Sequence, residues 1–231
     1  MARPWCWSKG RPVEITVVNQ LREATTVHWH GMELESYYDG VSGWDGYGRQ
    51  VAPEIAPGHS FRVRFTPPRS GTFMYHTHLN DEAQLGGGLY GPLIVLELGA
   101  TYEPETDVIF LVSRGGADAL KAPLLVNGRT ELPNRQWRVG RRYRLRLINI
   151  TLFNGAAFSL LGPSGVLKWR AVAKDGAALQ PSQAVLQEAR QATLPGETYD
   201  FEYQPDEAGF LELEVRSARV QMKVTQAIEV R

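Results

Sequence analysis

The stretch Pro57-Gly58-His59-Ser60-Phe61-Arg62-Val63-Arg64-Phe65-Thr66-Pro67-Pro68 decides the architecture. A proline–glycine turn opens it, Phe61, Val63 and Phe65 alternate with two arginines, and two prolines close it. A period of two puts the apolar side chains on one face of a strand and the arginines on the other. The same arrangement returns at Pro195-Gly196-Glu197-Thr198-Tyr199-Asp200-Phe201, a strand ending near Gln204-Pro205. Each copy is followed by a glycine and a further strand, beginning Gly71-Thr72-Phe73 and Gly209-Phe210-Leu211. This is an internal repeat, two copies of one sandwich topology.

Working outward, Val13-Glu14-Ile15-Thr16-Val17-Val18 and Tyr143-Arg144-Leu145-Arg146-Leu147-Ile148 are also rich in β-branched and large apolar residues. Short strands between Gly/Pro turns read as an antiparallel β-sandwich. Helix signals are few, and Asp81 to Leu85 makes at most one turn. The stretch Gly99-Ala100-Thr101-Tyr102-Glu103-Pro104-Glu105 reads as a linker, so the expected domains are residues 1–99 and 105–231. A chain of 231 residues is long enough for two such cores.

Composition narrows the function. Apolar residues make up 43% and charged ones 22%, as in an ordinary soluble globular protein. The net charge is zero, so no basic excess points to nucleic acid or an anionic membrane. No window approaches the roughly 18 apolar residues that cross a bilayer. The start, Met1-Ala2-Arg3-Pro4-Trp5-Cys6-Trp7, lacks the apolar run of a secretory signal, so either the protein is cytoplasmic or, the favoured expectation, a leader has been removed upstream. Cys6 is the sole cysteine, which excludes an intrachain disulfide.

The chemistry lies in the histidines. There are five, and four sit in two pairs, His28-Trp29-His30 and His76-Thr77-His78. Residues two apart on a strand share a face, so each pair presents two imidazoles side by side. Paired strands would then bring all four together as ligands suited to Cu, Zn, Fe or Ni. A single pair would be read as ordinary polar residues on a strand. Two pairs flanked by Trp29, Phe73 and Tyr75 favour metal binding. His59 lies in the Pro-Gly turn and is expected to face solvent.

Thr26-Val27-His28-Trp29-His30-Gly31 and Gly71-Thr72-Phe73-Met74-Tyr75-His76-Thr77-His78 resemble the first two copper motifs of the multicopper oxidases, the laccase-like family. Gly88-Leu89-Tyr90-Gly91-Pro92-Leu93-Ile94-Val95 fits that context, and Leu125-Val126-Asn127-Gly128 resembles the family's copper-free domain. The resemblance implies two tandem cupredoxin-like Greek-key sandwiches, copper as cofactor and an extracytoplasmic location. It implies type 2 copper ligation by His28 and type 3 ligation by His30, His76 and His78. It also implies a proton-relaying acid at Asp39, whose plainer reading is a turn residue before Gly40.

What the chain lacks shapes the mechanism. The family takes electrons at a type 1 copper held partly by a cysteine thiolate, and passes them to a cluster of about eight histidines. Here there are four, and no His-Cys-His motif. Three readings stand open. The type 1 domain is missing from this chain, and its start and finish point to a loss on the N-terminal side. Alternatively, two copies pool their histidines in a homo-oligomer. Or one chain holds a single copper, or zinc as a substitute, as a store or as a metallohydrolase with a metal-bound water. Small phenols are the expected substrates of the oxidase readings. The aromatic, acidic segment from Glu33 to Gly48 is either their access route or a surface excursion. Met74 is read as core filler, Arg141, Arg142, Arg144 and Arg146 as a solvated basic stripe, and Gly86-Gly87-Gly88 as no nucleotide loop.

Overall fold

The computed structural model describes residues 4–43, 51–116, 121–218 and 221–231. Five strands form the first sandwich: β1 (Trp5–Ser8), β2 (Val13–Val18), β3 (Ser60–Phe65), β4 (Gly71–His76) and β5 (Tyr90–Leu96). One sheet runs β1-β5-β4 and the other is the antiparallel pair β2-β3. Trp29, Met32, Val63, Phe73, Leu93 and Val95 fill the space between them. The helical turn expected near Asp81 is present as α1 (Asp81–Gly86).

The second sandwich contains β6 (Asp107–Arg114), β7 (Leu124–Val126), β8 (Arg135–Trp137), β9 (Tyr143–Asn149) and β10 (Ala156–Gly162). It continues with β11 (Gly165–Val166), β12 (Lys168–Lys174), β13 (Ala177–Ala178), β14 (Leu186–Glu188) and β15 (Arg190–Thr193). It ends with β16 (Thr198–Tyr203), β17 (Gly209–Ser217) and β18 (Lys223–Val230). One sheet follows the order β13-β12-β16-β9-β6-β7 and the other β11-β10-β17-β18-β8, with β14 and β15 added at their sides. Phe110, Trp137, Phe158, Trp169 and Phe201 are fully buried between them. Both copies of the repeat fold as read, β3 followed by β4 and β16 by β17. Pairing is not purely antiparallel, because β1 and β5, β6 and β9, and β8 and β18 run parallel. Crossover connections bring strands that are distant in sequence side by side in the same direction.

Two layers of contact join the sandwiches. Met74, Leu85 and Ile94 of the first pack on Ile109, Leu111, Ile148 and Ile150 of the second. Each such side chain contributes about 1.5–3 kcal/mol on burial. Met74 is therefore core filler, as its type implied. Beside this seam lies a polar clamp. Thr72 on β4 donates its hydroxyl to Asp200 Oδ1 at 2.6 Å and accepts from Arg146 at 2.7 Å. Asp200 Oδ2 accepts from Arg144 at 2.6 Å and from Arg146 at 3.2 Å. Arg146 also reaches both carboxylate oxygens of Asp107. The basic stripe is thus solvated only in part: Arg142 is 67% exposed, whereas Arg146 is 4% exposed. β9 lies between β6 and β16, which set Asp107 and Asp200 beside its arginines. Alternation turns Arg144 and Arg146 to the same side of the sheet. Among the described residues no helix is long and apolar enough to cross a membrane.

Asp200→Ala leaves Arg144 without its buried partner and Arg146 with Asp107 alone. The expected loss is about 3–5 kcal/mol, read from urea unfolding. A loss below about 1 kcal/mol would remove the clamp from the account of interdomain stability.

Candidate metal centre

His76 ends β4, and the segment carrying His28 runs antiparallel beside it. The two residues exchange backbone hydrogen bonds, His28 N–H to His76 O at 2.7 Å and His76 N–H to His28 O at 3.0 Å. Directly opposed residues carry their side chains on one face, so this bridge alone puts the two imidazoles side by side. The i+2 spacing adds His30 and His78 to the same edge. Ring centroids lie 5.3 Å apart for His28–His30 and His28–His76, 5.4 Å for His30–His76 and 5.6 Å for His28–His78. Nitrogens of His28, His30 and His76 lie within 4.8 Å of one another, whereas His78 stands at the exposed side of the group. His59 is exposed in its turn and takes no part.

The hydrogen bonds settle which nitrogen can act as ligand. His28 Nδ1 lies 3.0 Å from the Asp39 carbonyl oxygen and 3.2 Å from its carboxylate. His76 Nδ1 lies 2.5 Å from the Thr77 carbonyl oxygen. A carbonyl only accepts, so both Nδ1 atoms carry protons and both Nε2 atoms keep their lone pairs. Such outer-sphere acceptors orient metal-ligating histidines and raise their basicity. His30 Nδ1 faces His76 Nε2 at 3.2 Å. Two nitrogens at that separation can each lie about 2.0–2.1 Å from a common ion. The donor set fits a first-row metal, and copper or zinc suits imidazole.

Electrostatics favour the neutral form of His76 and His30. Burial lowers His76 to about 4, only partly offset by its bond to Thr77 and reinforced by its histidine neighbours. Burial and the charge of His28 lower His30. In His28 burial also pulls downward, but the hydrogen bond and charge of Asp39 outweigh it and the net shift is upward.

Supporting residues escaped the sequence reading because they carry no metal chemistry of their own. Gly40 (φ +80°) packs so closely that a Cβ would lie 1.9 Å from the Val27 carbonyl oxygen, which seats Asp39 against His28. Gly196, in the turn opening β16, meets the His30 ring, where a Cβ would lie 3.0 Å from Cε1. Gln84 is buried and takes hydrogen bonds from Thr25 at 2.6 Å and Thr77 at 2.8 Å. The Thr26 hydroxyl accepts from the His78 backbone at 3.2 Å. Of the acidic, aromatic segment, Tyr37 and Tyr38 pack on Phe61, while Trp44 to Gly48 lie outside the described residues.

The two β-sandwiches have the cupredoxin fold, and the first carries the four histidines on one edge. Residues 5–99 match the family model of the multicopper oxidases. A copper resistance protein A homolog of Pseudomonas syringae pv. tomato is 38% identical over 91 residues, 38% of this chain and 14% of that protein. Laccase-5 of Trametes versicolor is 31% identical over 185 residues, 67% of this chain and 34% of that one. The crystal structure of Blue Copper Oxidase from Nitrosomonas europaea shares the fold, with a TM-score of 0.78 at 22% identity over 98% of this chain and 75% of that one. The first sandwich is of the multicopper oxidase family, and the matches span well under two thirds of these curated relatives.

Gly40→Ala displaces the Asp39 loop and should weaken copper binding by about 10-fold or more, read by competition with a chelator. Unchanged affinity would mean that Asp39 does not orient His28. In the metal-free chain, His30 and His76 bind protons less readily folded than unfolded. Their contribution to stability is therefore complete above about pH 6.5 and is lost as pH falls toward 4, with His28 opposing it more weakly. Unfolding midpoints flat across that range would contradict this.

Proposed function

We propose that the chain is a copper-binding, laccase-like oxidoreductase module carrying half of a type 2/type 3 cluster. In this reading His28 holds the type 2 ion, and His30, His76 and His78 hold the type 3 pair. The observation that carries it is the 3.2 Å approach of His30 Nδ1 to His76 Nε2, with the His76 tautomer set by Thr77. Copper so held would supply the capacity to accept electrons and pass them to oxygen, with phenols or similar small molecules as donors. The chain's own residues hold and orient. Asp39 fixes His28 through Nδ1, Gly196 limits movement of His30, and Thr77 fixes His76. The Asp39 carboxylate, 3.2 Å from His28 Nδ1, is also a group able to relay protons at this edge.

Completion comes from a second histidine set, supplied either by another copy of this chain or by a type 1 copper domain. The exposed side of the group, where His78 stands, is the side open to it. The first sandwich spans residues 1–99 and the second 105–231 in this reading, and the resemblance to copper resistance protein A supports a location outside the cytoplasm. The three clustered nitrogens also favour a second reading, in which one zinc ion keeps a water in its fourth position for hydrolysis.

The test is metal content per chain after copper loading, on size-fractionated protein, against a His76→Ala, His78→Ala variant. A copper-stabilised dimer with about one and a half coppers per chain, lost in the variant, is expected if copies pool their histidines around a three-metal cluster. One metal or none per chain in a monomer would exclude self-completion. Hydrolytic activity supported by zinc and abolished by chelation would replace the oxidase reading.

A further inference from the structure

A second concave site lies away from the histidines. Arg135 opens β8 and Arg138 follows it, Arg141 sits in the turn before β9, and Arg231 follows β18. These four arginines line a cavity of about 510 Å³, and Glu105 is the one acid among its lining residues. Arg231 is engaged by Glu229 at 2.8 Å, and Arg141 only loosely by Glu103 at 3.7 Å. Arg135 and Arg138 have no carboxylate within ion-pair distance among the described residues. The backbone that carries them is held firmly. The Arg138 N–H donates to the Tyr143 hydroxyl at 2.7 Å, and the Arg231 N–H to the Trp137 carbonyl at 2.9 Å.

We infer that this cavity is a binding site for a multivalent oxyanion, of the phosphate-ester or polycarboxylate class. Guanidinium groups crowded around one space repel each other, and the neighbouring carboxylates pair with Arg231 and Arg141 but not with Arg135 or Arg138. Arg135 adds an independent sign, because its Nε is buried without any acceptor, which a merely solvated arginine would not show. Burial also pushes Arg135 below its ordinary basicity, the mark of a cation short of a counter-charge. An anion in the cavity supplies that charge, and planar guanidinium forks match carboxylate and phosphate oxygens in pairs. The volume suits a small metabolite rather than a single ion.

The site is separate from the metal centre. β9 begins at Tyr143 beside this cavity and ends at Asn149, whose carbonyl accepts from Gly196, the residue against His30. Seven residues of strand hold the two ends roughly 20 Å apart. A ligand here would not touch the histidines.

The probes are pyrophosphate and citrate, titrated calorimetrically into the metal-free full chain at constant ionic strength held with sodium chloride. Saturable binding of one probe per chain is expected, weakened by about ten-fold or more in Arg135→Gln and in Arg138→Gln. Arg62→Gln, on β3, should leave it unchanged. Pyrophosphate alone would assign phosphate esters, and citrate alone polycarboxylates. Arg138 is exposed, so its variant retains the fold and decides the matter if Arg135→Gln does not. No binding of either probe above the chloride background would overturn the inference, as would equal binding by the Arg138 variant.

Discussion

Two backbone hydrogen bonds between His28 and His76 are the constraint on which the histidine edge depends. Side chains in a sheet have no freedom to choose a face once their backbone partner is chosen. A slip of one residue in either segment would turn its two imidazoles toward the core and present Trp29 or Thr77 to the edge. The bridge is short, an isolated pair and not a long ladder, so something else has to hold its register. Trp29 does so on one side: it is fully buried, stacked with Trp5 at 5.8 Å and close to Tyr75. Thr77 does so on the other, buried and hydrogen-bonded to Gln84. Both residues between the histidines face inward and are anchored there, which is why both pairs face out.

The second sandwich carries no histidine, yet it shapes the site. It fixes β4 from behind through the hydrogen bonds between Thr72 and Asp200 and between Thr198 and the Thr72 carbonyl. It also bounds the edge laterally, where the Pro195-Gly196 turn meets the His30 ring. A side chain at Gly196 would have to displace that ring, and with it the nitrogen that faces His76. The repeat therefore has two uses of one turn. In the first sandwich the Pro57-Gly58 turn is solvent-exposed, while in the second its counterpart becomes a wall of the neighbouring site.

This contrast shows what was legible beforehand. Alternation in β3, Pro-Gly turns and the i+2 histidines are local signals, and each forecast its element correctly. The four-histidine edge followed from them because a strand face is a local property. The clamp did not follow. Arg144 and Arg146 alternate like any solvated stripe, and only the placement of Asp107 and Asp200 on the two flanking strands draws them onto those carboxylates and buries Arg146. Gly40 and Gly196 were silent for the same reason, since their role is an empty volume beside a residue distant in sequence. Asp39 stood between: its position in the chain was visible, but its bond to His28 through both carbonyl and carboxylate was not.

Preorganising four imidazoles without metal has a cost that the surroundings reveal. Adjacent histidines cannot all charge, and burial opposes charging further, so His30 and His76 are pushed toward the neutral form that a metal requires. His28 is driven the other way by Asp39, which favours its protonated form while no metal is present. The same Asp39 contact that orients His28 for a metal thus also favours the proton competing for Nε2. The arrangement resolves the conflict by geometry: Asp39 binds Nδ1, so the proton it stabilises there stays in place when a metal takes Nε2. Orientation is kept in both states, and only the proton on Nε2 has to leave as the ion arrives.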